Sequence, residues 1–180
     1  MGKCTTLNMT ADDKSNNDTN ITALVTLVND IRAKLKGDYI VSKPGLVIGS
    51  TTTAVANVAF TYMIGGVQYS KAAVAAGVAP GNDVIPQNKY GAVALDINAS
   101  GTVSIAEATA NATGYASAAL AIAGIPAVAS GKARMGTVTA IKTDGAFTFG
   151  TSNLNVANST VVYTDGQTAF EAIGSAVTEV

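Results

Sequence analysis

Three patterns of apolar and polar positions follow one another along this chain. Residues 1–19 show no period. After Met1-Gly2-Lys3-Cys4-Thr5-Thr6-Leu7 the chain runs through Asp12-Asp13-Lys14-Ser15-Asn16-Asn17-Asp18-Thr19, too polar to bury a face. This stretch is expected to be an arm that orders only against a partner. From 20 to 36 the apolar residues step by three and four: Ile21, Leu24, Val28, Ile31 and Leu35. That is the rhythm of an amphipathic, coiled-coil-like helix, with Ile21, Val28 and Leu35 at core position a and Leu24 and Ile31 at core position d. Val25 and Leu27 widen the stripe, which favours more than two helices or a broader docking surface. Asn20, Asp18 or Thr19 can cap the start, Arg32, Lys34 and Lys36 complement the dipole at the end, and Gly37 supplies the stop. An ordinary helix lying on its own domain has the same pattern, and the segment is shorter than the roughly three heptads that identify a coiled coil.

Residues 37–54 form a linker and a first strand, and beyond Lys43-Pro44-Gly45 the period becomes two. Val58, Phe60, Tyr62 and Ile64 alternate with small or polar residues up to a turn at Gly65-Gly66, after which Val67 to Tyr69 returns. Lys71 to Ala79 suits either a helical turn or an irregular edge. Pro80-Gly81-Asn82-Asp83 is a turn, and Val93, Leu95 and Ile97 form a second alternating run that Asn98-Ala99-Ser100-Gly101 turns into Thr102 to Ile105. In the Ala-rich stretch from Glu107 to Ala123, the portion from Tyr115 to Ile122 predicts a short helix. Lys132 to Ile141 reads as a strand that Thr143-Asp144-Gly145-Ala146 turns back into Phe147-Thr148-Phe149. Ser159 to Tyr163 is a last strand, and Thr168 to Val177 suits a short helix or an arm. The fold class that follows is mainly β. An antiparallel sandwich or barrel-like body over 55–180 is preceded by a polar arm and one amphipathic helix.

Composition sharpens this picture chiefly by exclusion. The 180 residues include 11 Lys+Arg and 12 Asp+Glu, no His, no Trp and one Cys. A formal net charge of −1 gives no electrostatic reason to expect nucleic acid or an anionic membrane as a partner. The absence of His removes the commonest general base and metal ligand near neutral pH, and a single Cys cannot form an internal disulfide. Mean hydropathy is +0.31, yet the most apolar stretch, Tyr115 to Val128, is interrupted by Gly124 and Pro126 and is too short to span a bilayer. No apolar run follows Lys3, so no secretory signal is expected. Much of the apolar content is Ala and Val, with Thr abundant, and side chains of that size suit thin sheets and close contacts between sheets or subunits.

Few motifs carry chemistry. Asp96-Ile97-Asn98-Ala99-Ser100-Gly101 through Glu107 has the spacing of a calcium-binding loop, with oxygen donors at Asp96, Asn98, Ser100 and Glu107. Such a loop lies between helices, whereas the flanking residues alternate as strands, so the segment reads as a hairpin turn and no metal is assigned. Met1-Gly2-Lys3-Cys4-Thr5-Thr6 fits a myristoylation pattern with Cys4 as a second acylation site, but no basic cluster accompanies it, and Cys4 reads as a free thiol. The sequons at Asn20, Asn98, Asn111 and Asn158 follow from richness in Asn and Thr. Asp83, Asp96, Asp144 and Asp165 each occupy a turn signal, where Asp bonds its own backbone. No paired carboxylates, nucleophile elbow or phosphate loop assembles, so neither catalysis nor a cofactor is expected.

Two stretches nonetheless have a family look. One is Phe60-Thr-Tyr62 through Gln68-Tyr69-Ser70-Lys71, continuing at Val84-Ile-Pro86 to Lys89-Tyr90 and Gly101. The other runs from Gly114-Tyr115 through Pro126, Arg134-Met-Gly136 and Phe147-Thr-Phe149-Gly150. In order and texture, over about residues 55–165, they resemble virion structural proteins of tailed bacteriophages, particularly head decoration and head-fibre proteins. The resemblance implies a β-rich body on the capsid exterior, commonly trimeric, bound to the major capsid protein through an N-terminal region, with no catalytic residues. A trimer would gather three copies of Ile21, Leu24, Val28, Ile31 and Leu35 about one axis as a stalk, with residues 1–19 gripping the capsid. The helix docking on capsid protein or on its own body is the other arrangement. This chain departs from a purely β decoration protein in carrying that arm and helix. A receptor-binding or adhesive tail-fibre or baseplate module is the alternative function, and an enzyme acting on cell-wall glycans is discouraged by the lack of a carboxylate pair.

Overall fold

The computed structural model describes residues 11–35, 37–166 and 168, and the chain divides into two units, one ending at Leu35 and the other beginning at Lys36. The first contains α1 (Ala11–Leu35). Its N-terminus lies nine residues before Asn20, so residues 11–19, expected as part of an arm, are helical instead. Asp12 and Asp13 fall in the first turn, where the helix dipole favours acidic residues. Once the apolar turns from Ile21 onward exist, each added residue contributes a hydrogen bond without a new nucleus. The Thr19, Thr22 and Thr26 hydroxyls donate to the carbonyls of Ser15, Asp18 and Thr22, so even the polar side chains bond along the helix.

The second unit is an antiparallel β body. Its strands are β1 (Tyr39–Ile40), β2 (Val47–Ile48), β3 (Val55–Asn57), β4 (Phe60–Ile64), β5 (Val67–Lys71), β6 (Val74–Val78), β7 (Val84–Ile85), β8 (Tyr90–Asn98), β9 (Val103–Glu107), β10 (Lys132–Lys142), β11 (Phe147–Thr148) and β12 (Ser159–Asp165), with α2 (Ala118–Ala123) between β9 and β10. The central sheet has the order β12-β10-β8-β9, and smaller sheets β1-β4-β5, β2-β3-β6 and β11-β7 complete the body. Alternation decides what each strand buries. On β8 Val93, Leu95 and Ile97 face the main core, where Phe60, Tyr62 and Ile64 of β4 and Met135 and Val138 of β10 also pack. Aromatic pairs stiffen this core: Phe147 and Phe149 meet edge to face at 5.4 Å, Tyr62 stacks on Tyr69 at 5.6 Å, and Phe60 lies tilted against Tyr62 at 5.7 Å. The opposite face of the central sheet carries Ala92 and Ala94, on which α2, Ala108 and Ile125 settle. Small residues there let a helix approach the sheet closely.

Several expected connections take a definite form. Gly65 and Gly66, at φ 60° and 81°, make the two-residue turn between β4 and β5, a left-handed pair that glycine, lacking a Cβ, adopts readily. Lys71 to Ala79 contains the strand β6, distorted near Gly77 at φ 83° where its register with β3 shifts. The expected helix at Tyr115–Ile122 is shorter. Tyr115 instead bridges Tyr90, and Ser117 caps α2, its hydroxyl accepting from the Leu120 N–H at 3.3 Å. The hairpin expected between Lys132–Ile141 and Phe147–Phe149 does not form. Both edges of β10 are filled by β8 and β12, so β11 pairs with β7, Phe147 opposite Ile85. The segment expected as a helix or arm at Thr168 to Val177 lies outside the described residues, apart from a bridge between Thr168 and Ile40. The N-terminal lipidation pattern and Cys4 also lie outside them.

Candidate functional site

The residues expected to make an oligomer interface lie along one face of α1. Ile21 and Leu24 are each 59% exposed and Val28 39%, with Val25 and Leu27 exposed beside them, while Ile31 is half-buried. Leu35 ends the helix, and its side chain lies outside the described residues. The helical backbone therefore brings the five positions onto one stripe, as their spacing requires.

The four oxygen donors of the calcium-like motif are not brought together. Asp96 pairs with Ser104 across the hairpin and Glu107 with Val93, an odd number of positions away along β8, so the two carboxylates stand on opposite faces of the sheet. Each has its own work. Asp96, 5% exposed, takes a bidentate pair from Arg134, with Nε to Oδ1 at 2.9 Å and Nη2 to Oδ2 at 3.3 Å. The same Nη2 reaches the Pro126 carbonyl at 2.9 Å, so one guanidinium fastens the loop after α2 to the central sheet. Glu107 Oε1 accepts the Asn82 N–H at 2.9 Å. Asn98 builds the turn itself: its Oδ1 accepts from the Ser100 N–H, the Ser100 hydroxyl and the Thr102 N–H. From the facing sheet the Tyr62 hydroxyl donates to the Asn98 carbonyl and Lys71 Nζ to the Gly101 carbonyl. The hairpin reading therefore describes the geometry. Among the described residues no group of three or more carboxylate or thiol side chains stands together as a metal site.

Two polar features escaped the sequence. Asn111, 1% exposed, extends the sheet where β9 has ended: Oδ1 accepts the Ala92 N–H at 3.0 Å and Nδ2 donates to the Ala92 carbonyl at 2.9 Å. Its amide thus acts as one more peptide unit, and Nδ2 also reaches Asp83 Oδ2 at 3.0 Å. Its burial leaves no room for a glycan at that sequon. At the turn after β10, the Lys142 ammonium beside Asp144, with the Asn158 amide, holds the Asp144 carboxyl below the usual carboxylate range. Burial raises the phenols of Tyr62 and Tyr163 above their ordinary value, with Tyr69 adding to the shift at Tyr62. The Asn98 turn and the Lys142–Asp144 pair are local in sequence, whereas the contacts of Asn111 and the Asn158 amide depend on which segments become neighbours.

A second apolar surface covers α2 and the loop after it, where Leu120 is 54% exposed and Ile122 and Val128 are 40% exposed. From Ala108 to Gly131 the chain carries no charged residue. Scattered apolar side chains are ordinary, but a charge-free surface of this kind offers nothing that repels a partner. No helix among the described residues is long and apolar enough to cross a membrane. Comparison of the chain with protein-family models, curated proteins and solved structures finds no match.

Proposed function

We propose that this chain is a structural protein of a bacteriophage virion. It works self-associated on the capsid exterior as a decoration or head-fibre protein, bound to the major capsid protein, and its task is packing rather than catalysis. The observation that carries this reading is the exposed apolar stripe of α1, Ile21, Leu24 and Val28, attached to a body that buries its own core. A helix with such a stripe gains stability from tertiary or quaternary contact rather than from propensity, and most of the first half of α1 is Asp, Asn, Ser and Thr, all weak helix formers. The near-neutral net charge supports the reading too, since many copies crowd one surface without mutual repulsion. Electron microscopy of the phage particle tests it. Hundreds of copies of the β body on the capsid lattice are expected. A handful of copies at the tail would replace this role with the adhesive one, and none on the particle would remove both.

A further inference from the structure

The helix found from Ala11 onward places a charge gradient along the apolar stripe. With Ile21 and Val28 at position a and Leu24 and Ile31 at position d, the heptads extend back to Lys14 at a and Asn17 at d. Flanking positions e and g hold Asp13 and Asp18 at one end, Val25 and Leu27 in the middle, and Arg32 and Lys34 at the other end. Acidic residues at a helix start and basic ones at its end suit the helix's own dipole. The same gradient also decides how a second copy can lie on the stripe.

Laid parallel and in register, the flanks pair g with the next e of the other copy. Position 13 then meets position 18, aspartate on aspartate, and Leu27 meets an arginine. Laid antiparallel about a two-fold axis at Thr26, a faces d, e faces e and g faces g. Ile21 then meets Ile31, Leu24 meets Val28, Val25 and Leu27 each meet their own copies, and Asp18 meets Arg32 at both ends. The opposed helix dipoles add to the attraction. We infer that the occupant of this stripe is α1 of a second copy of this chain, packed antiparallel in a closed two-fold pair. This replaces the three parallel copies implied by the phage resemblance, and it holds wherever the protein resides, so its test needs no capsid.

The full chain carrying Cys4→Ser is the background for the experiment. Under mild oxidation, a mixture of Leu24→Cys and Val28→Cys proteins should form the mixed disulfide dimer faster than either protein forms its own. Sedimentation equilibrium gives a second reading. Asp18→Arg places two arginines together at each end of the pair and should weaken association about tenfold. The double variant Asp18→Arg/Arg32→Asp should restore it. In a parallel coil Asp18→Arg would instead relieve the contact between positions 13 and 18 and tighten association. Tightening, self-disulfides of Leu24→Cys ahead of the mixed one, or a monomer at every concentration would each overturn the inference. An unchanged melting transition of the β body shows that the variants fold.

Discussion

In the β body Leu95 and Val93 are at or below 1% exposure, while in α1 Leu24 and Ile21 leave 59% of their surface open. The residue types are the same and the spacing is regular in both, so intrinsic preference does not separate them. Layering does. β8 and β10 of the central sheet bury their apolar side chains in one core with those of β4, whereas the described residues of α1 from Lys14 to Asn29 are all exposed. The body thus buries its apolar side chains among its own strands, whereas α1 carries Ile21 and Leu24 in the open. The largest test of this contrast is Leu95→Ala. It removes a fully buried side chain among Tyr62, Val93 and Met135, and a cost of about 2–5 kcal/mol is expected from lost transfer energy plus the cavity left behind. Chemical denaturation of the variant measures it. A loss under about 1 kcal/mol would mean that this core is far looser than its burial indicates.

The next effect concerns a polar residue that the body cannot spare. Asn111→Ala leaves the Ala92 N–H buried without its acceptor and Asp83 without its amide donor. A cost of about 1–3 kcal/mol is expected, the desolvation penalty of an unmet buried group. Denaturation midpoints check it, and hydrogen exchange at Ala92 should quicken while the β10 side of β8 stays protected. Asn111→Asp, which keeps an acceptor for the Ala92 N–H but loses the donor to the Ala92 carbonyl and sets a charge beside Asp83, should not rescue the protein at neutral pH.

What the sequence could and could not announce divides along a physical line. The interior of β8 was legible because period two is a local property, and Val93, Leu95 and Ile97 do face the core. The Asn98–Gly101 turn was legible because its hydrogen bonds stay within a few residues. The start of α1 was not: residues 11–19 have no apolar period and weak helix propensity, so nothing local distinguishes a helix there from an arm. The partner of β11 was equally hidden, since it depends on β10 having both edges already taken. The Asp96–Arg134 pair requires knowing that β10 bulges between Arg134 and Gly136, which sets the register of everything beyond it. Likewise the apolar stripe of α1 was readable, while the direction of a partner became arguable only once Asp18 was known to share its helix with Arg32.

Alkaline pH probes the body's dry interior more gently. Burial raises the folded-state pKa of Tyr62 and Tyr163 above the ordinary value of 10.0, so their neutral forms are favoured by folding. Their contribution is complete below the unfolded value and is lost as pH rises through the folded one. Stability should therefore hold up to about pH 10 and decline above it. The Tyr62 hydroxyl donates to the Asn98 carbonyl, and ionisation removes that hydrogen bond. The Tyr163 hydroxyl is buried and makes no hydrogen bond among the described residues, so Tyr163→Phe should retain or slightly gain stability, while Tyr62→Phe loses the Asn98 contact. Tyrosinate absorbance followed through the transition, compared between the two variants, separates the two phenols. Normal titration of both in the folded protein would show that water reaches them.

The smallest effect on the body is the most telling one for the helix. Leu24→Ala removes the same atoms as Leu95→Ala, but from a side chain already more than half in water. Alanine has the higher helix propensity, so α1 itself is not weakened by the exchange. The unfolding transition of the body should shift by no more than about 0.5 kcal/mol, as for a surface substitution. Self-association should fall sharply, because Leu24 occupies a central layer of the stripe and its loss is felt in both copies of a symmetric pair. A large shift in the body's unfolding would show that Leu24 contributes to that fold. An unchanged sedimentation profile would show that the stripe is not where copies meet. Only the combination of a steady body and a lost assembly requires that the two regions, built from the same kinds of residue, are stabilised by different molecules.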